Sequence, residues 1–285
     1  MGERSLVFDG FMTILLLQTD HAAMSHLIYT ATMARGLTLG YPSPDDIWRR
    51  LMSVLAKIKL TLEHKHQETK DTVSFRFMSE ELKSWKPGQY LHYTLEHPHP
   101  DSRGIERYFT ISSAPFEGHI QLTTRFSEKK SSSFKKALLG LTVGGTIEAD
   151  GLEGDFILEN PDKSHVFIAG GVGVTPYRAI LLALDHAGAP VNVDLLYANR
   201  DEHFPYKAEL EALAKKHATF RIHYFTGPKR LDERAIRAAV GDVGKPIFFV
   251  SGPEPMVEAF DKLLKGMSLP KSRVKTDYFP GYSWP

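Results

Sequence analysis

The sequence predicts a small antiparallel β-barrel followed by a doubly wound parallel α/β domain. Three observations predict it. From residue 53 to residue 150, apolar and polar residues alternate at period two, broken by turn residues. After Pro161 the pattern changes to continuous apolar runs alternating with helical stretches, which suits strands buried on both faces. The first of those runs then enters a glycine-rich turn, Gly170-Gly171-Val172-Gly173-Val174-Thr175-Pro176, at the start of a helical stretch.

In chain order, residues 1–51 read as an N-terminal appendage without strand–turn rhythm, whose role the residues do not disclose. It includes a Pro-broken linker, Gly40-Tyr41-Pro42-Ser43-Pro44, and a helix start at Asp45 or Asp46. Met52 is a candidate alternative start of a more compact protein. Residues 52–160 form the expected barrel, with strands over 56–62, 72–77, 90–95, 107–113, 119–126 and 146–149 and one helix over 133–141. Lys86-Pro87-Gly88-Gln89 and Gly144-Gly145 supply turns. Six short strands with one helix favour a small barrel over a many-stranded sandwich. Residues 161–285 form the α/β domain. Its expected strands are 165–169, 191–197, 220–225 and 246–250, and its expected helices are 175–186, 207–217, 231–240 and 255–266.

Composition narrows the chemistry. The 285 residues include no cysteine, which excludes a disulfide framework, Cys-ligated zinc, thiolate haem and ordinary iron–sulfur clusters. Redox chemistry would need an organic cofactor or a metal held by oxygen and nitrogen. Lys and Arg number 35 against 34 Asp and Glu, so no basic field points to nucleic acid. The apolar run Phe11-Met12-Thr13-Ile14-Leu15-Leu16-Leu17 is far short of the ~20 residues a membrane span needs. Glu3 and Asp9 precede it and no small-x-small cleavage site follows, so a cytoplasmic protein without an integral membrane segment is expected. His64-x-His66 and His97-Pro98-His99 have spacing compatible with a metal, but turn-rich edges carry such pairs without one, and no metal site is expected. No nucleophile-elbow pattern for hydrolysis is present.

Two segments carry chemistry. The glycine turn sits between a buried strand and a helix start, where backbone N–H groups and helix dipole suit a phosphate. It reads Gly171-x-Gly173-x-x-Pro176, lacking the third glycine of the usual dinucleotide fingerprint, and a plain strand–helix connection is the competing account. Thr175-Pro176 is good capping chemistry with or without a ligand. In Arg107-Tyr108-Phe109-Thr110-Ile111-Ser112-Ser113, Arg107 and Phe109 share one strand face, with Tyr108 and Thr110 on the other.

Arg107-x-Phe109-Thr110-x-x-Ser113, then Gly170-Gly171-x-Gly173-x-Thr175-Pro176, then Ser251-Gly252-Pro253 before a helix together resemble the ferredoxin–NADP reductase family, in its order, over residues 53–285. The resemblance implies FAD on the barrel, NADPH or NADH on the sheet domain, and hydride transfer between them. It implies an NAD(P)H-dependent flavoprotein reductase that passes electrons to a separate acceptor such as ferredoxin, flavodoxin or an oxygenase component. An alternative is a non-catalytic flavin-binding regulatory or electron-transfer subunit, against which the 171–176 segment speaks.

Carried over by resemblance, Arg107 contacts the flavin phosphates and Phe109 lies against the flavin, Phe standing where the family more often has Tyr. Tyr108 and Ser113 complete that cofactor-binding segment, and Thr110 is a catalytic candidate near flavin N5. Ser132 and Ser133 resemble the second pyrophosphate turn, with a bland N-cap as the alternative. Gly171, Gly173, Val174, Thr175 and Pro176 border the nicotinamide dinucleotide. Ser251 stands where many relatives have Cys, beside the nicotinamide, and Gly252, Pro253 and Met256 match the turn and helix that follow. Asp277, with Phe279, matches an acidic-x-aromatic segment. It reads as a proton relay or as an exposed turn carboxylate. The aromatic ending, 278–284, reads as a cap over the flavin or as docking on the sheet domain. At the end of strand 191–197, Asn199 and Arg200 adjoin the adenosine ribose, with Asp201 and Glu202 next. Arg200, Lys229 and Arg230 incline the choice to NADPH.

Overall fold

In the computed structural model, which describes residues 5–8, 12–15, 57–227 and 230–279, the period-two stretches become strands. The chain divides into two compact units, Met1–Ala56 and Lys57–Pro285. In the first, β1 (Ser5–Phe8) and β2 (Met12–Leu15) pair antiparallel, Ser5 opposite Leu15. The sequence reading expects no strand there. The short apolar run of 11–17 hid the second of these strands. The 40–44 linker, the expected helix start after it, Met52, Lys229 and residues 280–285 of the aromatic ending lie outside the described residues.

The second unit begins with a curled antiparallel sheet. Its strands are β3 (Ile58–Thr69), β4 (Thr72–Met78), β5 (Tyr90–Thr94), β6 (Glu106–Thr110), β7 (Ile120–Arg125) and β8 (Thr146–Glu153), in the order β6-β5-β8-β3-β4-β7. The edge strands meet through one bridge, Ile111 opposite Leu122, and the Ser112 N–H donates to the Gln121 carbonyl at 2.8 Å. The sheet is thus a half-barrel whose edges touch at one end. Inward positions Leu60, Leu62, Phe75, Phe77, Leu91, Tyr93 and Ile147 form its core. Each such side chain contributes about 1.5–3 kcal/mol of burial. Helix α1 (Ser133–Gly140) caps that core with Phe134 and Leu138, and Ser132 caps the helix by accepting from the Lys135 N–H at 3.3 Å. β3 runs past the clean alternation at Leu62 because β4 continues to pair with it through register shifts at Leu62/His64 and Gln67/Thr69.

The parallel sheet has the order β11-β10-β9-β12-β13. Its strands are β9 (His165–Gly170), β10 (Val193–Ala198), β11 (Phe220–Phe225), β12 (Ile247–Pro253) and β13 (Val274–Phe279). The helices are α2 (Thr175–His186), α3 (Lys207–Lys216), α4 (Glu233–Val240) and α5 (Glu254–Gly266). All six β9 residues are buried. Phe167 and Ala169 face the α2–α3 core, while Val166 and Ile168 face the α4–α5 core, which is what a strand covered on both sides requires. The four expected strand–helix repeats are present, and β13 is a fifth strand that the alternation does not announce. Among the described residues no helix is long and apolar enough to cross a membrane.

Arg178 on α2 joins the two sheets. Its guanidinium donates to Glu117 (Nη1 3.0 Å, Nη2 2.9 Å), to Glu209 (Nε 2.7 Å, Nη2 2.8 Å) and to the Ser112 carbonyl (Nη1 2.8 Å), so all five N–H donors are used. Only 6% of the residue is exposed. Beside it Tyr206, at φ 59°, places its hydroxyl among barrel groups, accepting from the Gln121 amide and lying within hydrogen-bond distance of the Thr123, Ser74 and Ser112 hydroxyls. Arg178→Ala leaves two carboxylates facing each other without their cation. The expected loss is about 3 kcal/mol, the lower end for a broken buried pair because Glu209 stays partly wet. Arg178→Lys recovers only part, lacking the fork that serves two carboxylates. Urea unfolding measures both, and a loss below about 1 kcal/mol for Arg178→Ala contradicts the clamp.

Candidate active site

Strand order reverses between β9 and β12, and the crevice at their carboxyl ends is where an open α/β sheet receives a ligand. β9 ends in Gly170 and runs into a 3-10 turn, Gly171–Val174, before Thr175 and Pro176 start α2. Gly171 has φ +54°, a left-handed conformation that suits glycine, and a side chain there would meet Arg125. Gly173 approaches β12 so closely that a Cβ would lie 2.3 Å from the Ser251 carbonyl oxygen and 2.6 Å from the Gly252 Cα. Val174, Thr175 and Pro176 are buried, and Met256 is fully buried behind Gly252 in the α5 core. The glycines and Ser251 therefore form one seam.

Ser251 is wholly buried, and its Oγ makes no hydrogen bond of good geometry, its polar neighbour being the Asp277 carboxyl across the strand pairing. Across the β12–β13 pairing Ser251 lies opposite Asp277, Gly252 opposite Tyr278 and Pro253 opposite Phe279. Asp277 is on a strand, so the exposed turn carboxylate is corrected. Burial raises its carboxyl, the Ser251 hydroxyl draws it down and Asp155 raises it further, leaving it at about 7. Its charge also reaches Tyr90, which pairs with Thr110 across β5–β6, and Tyr177, whose hydroxyl donates to the Ile168 carbonyl at 3.0 Å. Thr110 itself is almost fully buried.

A second cluster lies on the barrel. Arg107 is held over the Phe134 ring at 5.7 Å, and Phe109 packs on Phe134 and Tyr93 with ring centroids 5.8 and 5.9 Å apart. Ser132 and Ser133 sit beside them at the start of α1. Ser113 lies in the barrel wall. Its hydroxyl donates to the His119 carbonyl at 2.7 Å and accepts from the Gln121 N–H at 3.0 Å. Tyr108 is not gathered with Arg107. It is 62% exposed on the other face, stacked on His92 at 4.3 Å.

Arg125 is a candidate site residue that sequence reasoning missed. It ends β7 on the barrel and reaches the glycine turn of the other sheet, its Nη2 donating to Asn199 Oδ1 at 2.9 Å while Asp71 stands 3.4 Å from its Nε. No motif marks it; its only local signal is a cation at a strand end. Asn199 also donates to the Asp201 and His203 carbonyls at 3.1 and 2.9 Å, which shapes the end of β10. Arg200, 51% exposed, pairs with Asp71 at 2.8 Å. A cleft of about 590 Å³, lined by residues including His64, Glu68, Arg178 and Lys207, shares none of the seam residues. Among the described residues no group of three metal-ligating side chains is gathered.

These residues fit the two cofactors. Ser251, buried at the carboxyl end of β12 beside the glycine turn, supplies a hydroxyl at the crevice where an open α/β sheet takes a dinucleotide. Arg125 above Gly171 suits a pyrophosphate, and Arg107 with the α1 start suits another. The shifted Asp277 supplies a pH test. The folded chain keeps this proton up to about pH 7, whereas an unfolded chain releases it near 4. Stability from this group is thus full below about pH 4 and is lost as pH rises through 7. Asp277→Asn should gain stability relative to the parent across that window and hold a constant difference above it. Denaturation at several pH values checks this, and a pH-independent difference contradicts it.

Comparison with known proteins agrees with this geometry. The family model described as an oxidoreductase NAD-binding domain matches residues 167–262. The chain is 29% identical over 210 residues to NADH-cytochrome b5 reductase 1 of Pyricularia oryzae, covering 65% of this chain and 65% of that protein. It is 33% identical over 182 residues to the phenoxybenzoate dioxygenase subunit beta of Ectopseudomonas oleovorans, covering 62% and 54%. The chain thus spans less than two thirds of the length of these curated relatives. Among solved structures, the cytochrome b5 reductase domain of Ulva prolifera nitrate reductase superposes with a TM-score of 0.68 at 25% identity, covering 78% of this chain and 98% of that one. The relatives and structural neighbours it matches are ferredoxin–NADP reductase-like FAD/NAD-binding oxidoreductases, and its fold, an antiparallel half-barrel followed by a parallel sheet with helices, matches theirs.

Proposed function

We propose that the chain is an NAD(P)H-dependent flavoprotein reductase working in the cytoplasm. In this reading, residues 52–160 hold FAD, residues 161–285 hold NADPH or NADH, and electrons leave to a separate redox protein such as ferredoxin, flavodoxin or an oxygenase component. The names of the relatives, a cytochrome b5 reductase and a dioxygenase subunit, support a separate acceptor. The observation that carries the reading is the seam itself. A buried serine hydroxyl lies at the carboxyl end of β12, between a glycine turn pressed on the β12 backbone and a carboxyl at about 7.

A bound flavin supplies acceptance of a hydride and release of single electrons. The protein's part is placement. Gly171, Gly173, Val174, Thr175, Pro176, Gly252 and Pro253 form the floor for the dinucleotide, and Arg125 and Asn199 border its pyrophosphate. Met256 backs Gly252, and Phe279 flanks the floor from β13. Ser251 orients the carboxamide, and Asp277 holds or releases a proton beside it near neutral pH. Thr110, Phe109 and Arg107 hold the flavin ring and phosphates, with Ser132 and Ser133 at the α1 start. Tyr108 and Ser113 support that strand rather than touch the ring. Arg200 is the cation placed for a 2′-phosphate, with Asp71 competing for it.

Purified full chain should carry a yellow chromophore that NADPH or NADH bleaches without oxygen. A bound flavin that neither nucleotide reduces overturns the enzyme in favour of a non-catalytic flavin-binding subunit. Titrating the two side by side tests the nucleotide: NADPH should win through Arg200, and a clear NADH advantage overturns that part.

A further inference from the structure

The loop between β5 and β6 carries a carboxylate into the anion-binding corner of the barrel. Asp101 accepts from the Ser133 N–H at 2.9 Å, in the first turn of α1, from the Arg103 N–H at 3.0 Å and from Arg107 Nη2 at 2.9 Å. In return the Asp101 N–H donates to Ser133 Oγ at 2.9 Å. The first turn of α1 has no acidic residue of its own, so Asp101 supplies the negative charge that its N-terminus attracts. The other arm of Arg107 is held by the carbonyls of Arg103 at 2.8 Å and Gly104 at 3.1 Å, which aims the guanidinium at the carboxylate. Arg107 Nε is buried without a partner. A guanidinium, a helix-start N–H and a second backbone N–H converging on two oxygens are the donor set an oxyanion needs.

We propose that Asp101 is a tethered stand-in for a flavin phosphate: its carboxylate fills the seat formed by Arg107 and the start of α1, and a phosphate-bearing flavin enters only by displacing it. This rests on the assignment of the flavin to the barrel. A carboxylate and a phosphate cannot share one guanidinium and one helix start at close range without strong repulsion. Burial works against the charged carboxyl, but the Ser133 and Arg103 N–H groups and Arg107 hold it down at about 2. At neutral pH, therefore, a competing anion rather than a proton moves Asp101 aside. The consequence is selective. FMN and FAD must displace Asp101, whereas riboflavin, which has no phosphate, does not meet it.

The test uses the full chain freed of flavin, as the parent and as Asp101→Asn, titrated with riboflavin, FMN and FAD by flavin fluorescence. Asn keeps an oxygen to accept from the Ser133 N–H while removing the charge. FMN and FAD should bind the variant at least about tenfold more tightly, with riboflavin unchanged. As a second measurement, inorganic pyrophosphate should raise the Tm of the variant more than that of the parent. Unchanged or weaker FAD and FMN binding overturns the inference, as does an equal gain for riboflavin. If all three bind parent and variant alike, the flavin assignment stands and the role of Asp101 alone falls. If none binds either protein, the flavin assignment falls and takes the inference with it.

Discussion

Two sheets with separate cores meet in this chain, and the Arg178 clamp is the buried charge contact that holds them together. Its five donors reach a barrel backbone carbonyl, a barrel carboxylate and a carboxylate of α3. A guanidinium so enclosed cannot shift without leaving unpaired charges in a poorly hydrated place, so the joint is stiff. Tyr206 adds direction. Its left-handed backbone is tolerated because its hydroxyl is committed to the barrel at several points. What lies on either side of the clamp, the Arg107 corner and the Ser251 seam, inherits that alignment.

Charge is arranged differently in those two places. At the seam, burial outweighs the Ser251 hydroxyl and leaves Asp277 poised near neutrality. At the barrel corner, three donors outweigh burial and keep Asp101 ionised. The same side-chain type is therefore held near neutrality in one place and ionised in the other. The difference lies in the neighbours: a strand pairing that offers one hydroxyl, against a loop that offers two backbone N–H groups and a guanidinium.

Several elements were legible in the sequence for simple reasons. The alternation of 72–77 has the period of a strand with one face on a core, and the unbroken apolar run at 165–169 suits a strand covered on both faces. Gly173 and Ser251 were legible because close backbone approach admits few residue types and motif order places the pair. β13 was not, because Lys275, Thr276 and Asp277 form an edge strand with one neighbour and no periodic apolar signal. Arg178 sits in a helix whose pattern is otherwise apolar, where an arginine reads as solvated. Asp101 lies in a Pro-rich loop that carries no periodicity.

By itself, then, the sequence determined the strand and helix periods, the order of barrel and parallel sheet, the glycine turn and the absence of any thiol. The periods and the glycine turn follow from residues within a few positions of one another, and the domain order and the lack of cysteine from a reading along the chain. Only the tertiary structure decided which charges meet. Arg178 finds Glu117 across 61 residues and Arg125 finds Asn199 across 74. Local periodicity carries no information about partners at that separation, because strand order and sheet curl, not sequence spacing, bring them together.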